Sequence, residues 1–493
     1  MKKRNRSSKG APAEASATVH PSKHGRRSNP GTVGRGFSPD NEQFKRDLAL
    51  APEVRSSSKS ANTKSNALPD HLVRIEKPIY GGNFLARENN KAIFIPLTLP
   101  GEQVRIRVIE ERAKRGYALA ELEEIITKSP DRIQPKCPHF GPCGGCNYQH
   151  TDYANQLRIK EGILRETLER GGVPAPEKIE ILAADPWAYR NRIRIAFDAA
   201  GNPGYRGRRS HAVIPIRECP IAAPLLVRSA LAAGELLARV PANLRPHELL
   251  LFCNPDESAL LATFFVAEPT QLRLNPLAES LKAQIPEVAG VELASGGRPG
   301  HPPRTLSQWG APSIAYRAAG FDYRVDHGGF FQVNRWLIDS LVDCVTAGQS
   351  GSLAWDLFAG VGLFARRLTS TFARVVAVES APPAVSALEE NLRDSSGSAV
   401  RATTLDFLRS GPSGAKPDLI VVDPPRIGLG PDITALLVRV AAPALVYVSC
   451  DPATLARDLK TLLAGGYQIQ SLTLADLFPQ TFHIETVVRL HRS

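Results

Sequence analysis

No apolar run in this chain approaches the roughly 18 residues that a bilayer-spanning helix needs, so no membrane association of that kind is expected. The basic opening Met1-Lys2-Lys3-Arg4-Asn5-Arg6 is followed by no apolar segment, which argues against a secretory signal and makes the cytoplasm the expected compartment. Cysteine is scarce, seven in 493 residues, and in a reducing compartment those thiols are expected free rather than paired as disulfides. No internal repeat is present, so a repeat architecture is not expected.

The length and a hydrophobic content of 43% suit about three domains with substantial cores. Positive charge is concentrated at one end. Residues 1–68 hold 14 Lys/Arg against five Asp/Glu, a net +9 of the chain's +12. Rich in Ser, Gly, Pro and Asn and poor in apolar residues, this segment reads as a disordered basic tail. Such an arm attracts nucleic acid through counterion release, without reading sequence.

Short alternating runs follow at Leu72–Ile75, Ala92–Ile95, Val104–Val108 and Ala118–Leu122, separated by turns at Tyr80–Asn83 and Leu99–Glu102. They predict a small five-stranded barrel over 69–130, with Arg87, Lys91, Arg105, Arg107, Lys114 and Arg115 as candidate nucleic-acid contacts. Residues 131–320 are mixed α+β. A helix is expected over Asn155–Gly171, where Leu157, Ile159, Ile163, Leu164 and Leu168 form an apolar stripe. Aromatic and basic residues interleave at Tyr189–Arg192 and Gly204–Arg209, a pattern that suits a base-stacking surface, and Gly296–Arg304 reads as a loop. Cys137, Cys143 and Cys146, bent together by Gly and Pro, form a metal-ligand constellation with Cys219 as fourth member. Spacing alone leaves four-cysteine zinc and [4Fe–4S] equally open. His139 reads as a bystander in that loop, and Cys253 and Cys344 read as small core residues.

Residues 321–493 carry strands that end in chemistry. The run Leu353–Leu357 leads into Phe358-Ala359-Gly360-Val361-Gly362, a strand, glycine turn and helix start. Glu379 ends the next apolar run at the spacing of an acid that holds ribose hydroxyls, so a nucleoside cofactor is implied. A third strand ends in Asp423-Pro424-Pro425-Arg426, and a fourth in Ser449-Cys450-Asp451-Pro452, a thiol placed at the ligand-binding edge of an open sheet.

The motifs Asp423–Arg426, Ser449–Asp458, Phe330-Phe331-Gln332-Val333-Asn334 and Asp476–Glu485 resemble those of RNA uracil-5-methyltransferases that use S-adenosylmethionine (SAM), in the branch with a TRAM barrel and an iron–sulfur cluster. The resemblance implies a multidomain α/β protein: an OB-like TRAM barrel, a central α+β domain with [4Fe–4S] on the four cysteines, and a C-terminal Rossmann-like class I methyltransferase domain. It further implies Cys450 as nucleophile, Glu485 as the base that removes the C5 proton, and Gln332, Phe358, Gly360, Glu379 and Asp423 as SAM contacts. Leu363 departs from the pattern, which more often has Asn there.

The chemistry explains those residue types. Carbon 5 of uracil becomes nucleophilic only after a thiolate adds at C6, and its proton must leave before the thiolate can be expelled. A thiolate needs nearby positive charge, and Arg426 and Arg457 are the candidates. A cytosine-5 enzyme would carry Pro-Cys in place of Pro424-Pro425, an amino-group methyltransferase an aromatic after the prolines, and a radical-SAM enzyme a different cysteine triplet. The expected partner is RNA, tilted toward 23S rRNA with a tRNA as the alternative, acted on by a monomer. A non-catalytic RNA-binding factor is the reading from another class.

Overall fold

A computed structural model describes residues 71–268, 270–297, 303–411 and 416–492. The basic tail 1–68 and residues 298–302 of the expected loop lie outside the described residues.

Strands β1 (His71–Ile79), β2 (Asn83–Glu88), β3 (Lys91–Pro96), β4 (Gln103–Arg112) and β5 (Tyr117–Thr127) close into a barrel in the order β1-β2-β3-β5-β4. β2 escaped the alternation pattern because Phe84, Leu85 and Ala86 are all buried, leaving no polar face to alternate with. Gly81 and Gly82 make the β1–β2 turn at φ 98° and 80°, and a side chain on Gly82 would begin 2.8 Å from the Asn147 amide. Four of the six basic candidates are paired with carboxylates. Arg87 pairs with Glu76, Lys91 with Glu111, Arg105 with Glu124, and Arg107 with Glu121 and Glu123. These pairs with carboxylates on other strands offset part of the positive charge of the barrel.

Helix α1 (Tyr153–Arg170) begins where Asp152 accepts the Asn155 N–H at 2.7 Å. It buries Ile159, Ile163, Leu164 and Leu168, as the stripe predicts. One continuous hydrophobic cluster joins the barrel interior, α1 and one face of the C-terminal sheet. After α1, the short β6 (Glu180–Leu182) adds to the edge of that C-terminal sheet, so the middle of the chain is not a body apart.

The central sheet has β7 (Arg192–Phe197), β8 (Pro203–Arg206), β9 (Val213–Pro215), β10 (Glu248–Cys253), β11 (Leu260–Val266), β12 (Val288–Ser295) and β13 (Arg304–Gly310), ordered β13-β12-β11-β10-β7-β8-β9. Helices α2 (Pro224–Ala238) and α3 (Leu274–Gln284) pack into its core. A hairpin, β14 (Ser313–Ala318) and β15 (Phe321–Asp326), leads to the last sheet.

There β16 (Gly351–Leu357), β17 (Phe372–Glu379), β18 (Gly397–Arg401), β19 (Leu419–Val422), β20 (Ala444–Ser449), β21 (Gln468–Ala475) and β22 (Glu485–His491) run in the order β18-β17-β16-β19-β20-β22-β21-β6. The first five are mutually parallel and β22 is antiparallel to β20. β19 is buried along its whole length, which is why it reads as an unbroken apolar run. The order reverses between β16 and β19, and a ligand crevice opens at the C-terminal ends of strands at such a switch point. Among the described residues no helix is long and apolar enough to cross a membrane.

Candidate active site

At the end of β16 the chain turns sharply, with Phe358, Gly360 and Gly362 at φ 64°, 55° and 90°. Phe358 holds this left-handed conformation without glycine's freedom, a local strain of the kind found around ligands. The turn is fixed from three sides. The Ala359 N–H donates to the Val378 carbonyl at 3.0 Å. Glu379, ending β17, accepts from the N–H groups of Gly360 (3.0 Å), Ser380 (2.7 Å) and Ala381 (2.8 Å). From below, Tyr323 donates to the Leu363 carbonyl at 3.0 Å and Asn391 to that of Val361 at 2.9 Å. Among the described residues nothing beyond its chain neighbours lies within 4 Å of where a side chain on Gly360 would begin, which leaves room for a ligand at that point of the turn. Leu363, the departure from the family pattern, is buried in the core and its side chain serves packing.

Asp423 directly follows β19 and meets the Gln332 side-chain amide at 3.4 Å. Burial raises its pKa to about 7. The neighbouring Cys450 and Glu485 are brought together by sheet register. β20 and β22 pair with Ser449 opposite Thr486, so the residue after one strand's last pair adjoins the residue starting the other. Burial pushes the Cys450 thiol well above its usual range, Glu485 and Asp423 add repulsion, and Arg426 pulls it back. Burial likewise holds Glu485 well above the usual carboxylate range, with Asp423 adding to the rise and Arg426 opposing it. Arg457, the second expected charge donor, is committed elsewhere: it donates to Asp458 at 2.9 Å and to the Ile427 carbonyl at 2.7 Å.

The segment Asp476–Ile484 that delivers Glu485 is held by residues the sequence reading passed over. Lys160 and Asp476, both with side chains 0% exposed, pair at 2.5 Å, and Lys160 also donates to the Phe478 carbonyl at 2.9 Å. Gln156 and Gln480 exchange two hydrogen bonds, at 2.9 and 3.0 Å. The N–H groups of Asn147 and Tyr148 converge on the Gln480 carbonyl at 2.8 and 3.0 Å. Tyr189 donates to the Pro479 carbonyl at 3.0 Å and is fully buried, as is Asn191, so Tyr189–Arg192 faces inward and is not the expected stacking surface. From the barrel, Tyr80 donates to the carbonyl of Cys450 at 3.4 Å and sets its ring edge-on to Phe482 at 5.8 Å. A charged residue inside the apolar stripe of α1 was the one available signal for Lys160. Lys160→Met should lower unfolding stability by about 3–5 kcal/mol, because Asp476 is left buried and unpaired. Urea denaturation reads this directly, and a loss below about 1 kcal/mol would mean that Asp476 finds another partner.

The profile of the tRNA (Uracil-5-)-methyltransferase family matches residues 415–493, and that of the TRAM domain matches 71–122. A 23S rRNA (uracil(1939)-C(5))-methyltransferase of Chromohalobacter salexigens is 33% identical over 456 residues, spanning 89% of this chain and 93% of that one. An RNA methyltransferase of Streptomyces avermitilis is 34% identical over 442 residues, 85% of this chain and 98% of its own. The chain belongs to the RNA (uracil-5-)-methyltransferases. The fold agrees: a Pyrococcus abyssi tRNA (uracil-54, C5)-methyltransferase, solved with S-adenosyl-L-homocysteine, superposes with a TM-score of 0.68 at 23% identity, covering 86% of this chain and 100% of that one.

In this RNA (uracil-5-)-methyltransferase the seven cysteines are all free. Cys253 is buried in the core as expected, whereas Cys344 is half-buried. Among the described residues no group of three or more His, Cys, Asp or Glu side chains is arranged so that it could hold a metal ion, so the expected four-cysteine site is not formed there. Cys137, Cys143, Cys146 and Cys219 nonetheless share one neighbourhood. Burial raises the thiols of Cys137, Cys143 and Cys146, the last to about 12, and the proximity of Cys219 raises each further. The Gly145 N–H points to the Cys143 sulfur at 3.4 Å and the Tyr205 hydroxyl to that of Cys219 at 3.7 Å. Two of the four sulfurs, those of Cys143 and Cys219, thus have donors aimed at them.

Proposed function

We propose that this enzyme methylates C5 of a specific uridine in RNA, with 23S rRNA as the substrate, and does so through a covalent adduct between Cys450 and C6. The observation that carries the proposal is the juxtaposition of the Cys450 thiol with the Glu485 and Asp423 carboxyls beside the Phe358–Gly362 turn. SAM supplies an electrophilic methyl group on a sulfonium, and Gln332, Phe358, Gly360, Glu379 and Asp423 are the residues that would hold it.

Each step follows from the chain's own groups. Arg426 opposes the rise that burial and the carboxylates impose on the Cys450 thiol, and the thiol gives up its proton to solvent before it attacks. The Cys450 sulfur adds to C6, moving the C5–C6 π electrons toward the C4 oxygen. The resulting enolate would be nucleophilic at C5 and could take a methyl group from a bound sulfonium, whose S–CH3 electron pair would stay on sulfur as a neutral thioether. Glu485 then accepts the C5 proton, the C5–C6 double bond re-forms, and the Cys450 thiolate departs. Burial that raises the pKa of Glu485 also makes its carboxylate a stronger base once ionised. A uridine stacked in folded RNA must leave its stack to reach this thiol. Mass spectrometry of nucleosides from 23S rRNA and tRNA, with and without the gene, tests the substrate: loss of 5-methyluridine from 23S rRNA is the expected result. Loss from tRNA alone would move the target to tRNA, and no change in either pool would leave a non-catalytic RNA-binding role.

We further propose that Cys137, Cys143, Cys146 and Cys219 hold [4Fe–4S], and that the protein acts as a cytoplasmic monomer. The segment that carries Cys146 continues into Asn147 and Tyr148, whose N–H groups grip the Gln480 carbonyl, so ordering those cysteines stiffens the loop ahead of Glu485. Protein purified without oxygen should be brown and contain about four irons per chain. Cys219→Ser should lower both iron content and the melting temperature. One zinc and no iron would overturn the cluster while leaving the methyltransferase reading intact.

A further inference from the structure

Beside the cysteine segment, on the side reached by the chain that carries Gln332, two tryptophans sit together. The Trp336 indole N–H donates to the Trp187 carbonyl at 2.9 Å. One face of the Trp336 ring carries the Arg335 guanidinium, 4.2 Å from its centroid, and Arg335 is itself anchored by the Ala188 carbonyl at 2.9 Å and by Glu257 at 2.6 Å. The exposed Lys136 places its ammonium 4.7 Å above the Trp187 ring and makes no ion pair among the described residues.

Trp336 remains 43% exposed although its only polar group is already satisfied. Its exposure therefore gains no hydrogen bond from water and leaves an aromatic face in solvent at an apolar cost. An indole immobilised by its own N–H and backed by a guanidinium offers a preorganised π surface, and a lysine alongside adds positive charge. That pairing of aromatic face and cation matches an unpaired nucleobase and its phosphate, and not an apolar peptide, which would leave Lys136 unanswered. The ledge is tied to the reaction centre through Asn334, two residues from Trp336, whose side-chain amide reaches the Leu477 carbonyl at 3.3 Å in the segment that leads to Glu485.

We propose that Trp336 and Trp187, flanked by Lys136, form a stacking ledge for an unpaired RNA strand next to the target uridine. The inference rests on the RNA-methylating reading above and specifies how the substrate is held. The test is fluorescence anisotropy with a single-stranded 20-mer of uridine and a 20-base-pair RNA duplex, using the full chain and the variants Trp336→Ala, Trp336→Phe and Lys136→Ala, with SAM affinity measured alongside. Trp336→Ala should weaken single-strand binding about 5-fold or more while leaving duplex and SAM binding within about 2-fold, and Trp336→Phe should restore most of the loss. Lys136→Ala should reduce the salt slope of binding by about one, whereas Trp336→Ala should leave that slope unchanged. Single-strand affinity unaltered by Trp336→Ala, or an equal loss toward duplex, would overturn the ledge. Either result is separable from failure of the enzymatic reading, in which the unaltered chain would methylate no RNA.

Discussion

Cys450→Ala should abolish methyl transfer, with a loss on the order of 10⁴-fold or more in single-turnover rate, while SAM affinity stays within about 2-fold. The size of the effect follows from the acceptor. Without sulfur at C6, carbon 5 of uracil has too little electron density to attack a sulfonium, and Cys450 is the thiol that Asp423 and Glu485 act on. Selectivity for chemistry over binding follows from the layout: the Phe358–Gly362 turn follows β16 and Glu379 ends β17, whereas Cys450 follows β20. Isothermal titration with SAM and a tritium-transfer assay separate the two. Parallel loss of SAM affinity would show that the substitution had disturbed the sheet.

Glu485→Gln should arrest the reaction one step later. The amide cannot take up a proton, so addition and methyl transfer proceed and the methylated base stays bonded to Cys450. Turnover should fall on the order of 10²–10⁴-fold, and a covalent RNA–protein band should accumulate on a denaturing gel. The substitution is nearly isosteric at a position 4% exposed, so little packing is lost. Fast turnover with no band would remove Glu485 from the role of base.

Much of the catalytic domain was legible because its strands are buried on both faces and end abruptly in polar motifs, as at Val422–Asp423 and Ser449–Cys450. The stripe of α1 was readable for the same reason in helical period. Other features needed three dimensions. The carboxylate partners of the barrel arginines depend on which glutamate sits across the sheet, and the register there shifts at bulges at Ile75/Lys77 and within β4–β5. Tyr189-Arg190-Asn191-Arg192 looked like an RNA surface because composition carries no direction. Its tyrosine and asparagine are instead spent on carbonyls and a hydroxyl deep in the molecule, at Pro479, Gln332 and Tyr316. The adjacency of Cys450 and Glu485 arises from the antiparallel return of β22, a topological fact that no local pattern announces.

Tyr80 lies in the barrel yet its hydroxyl sits on the backbone of the nucleophile. A barrel exchanged between relatives would therefore bring along part of the reaction chamber, and a chimera made to retarget the enzyme would inherit altered kinetics together with its new grip on RNA. Evolution faces the same constraint: the β1–β2 turn is answerable to the backbone of the nucleophile, so its sequence can drift only as far as Cys450 tolerates.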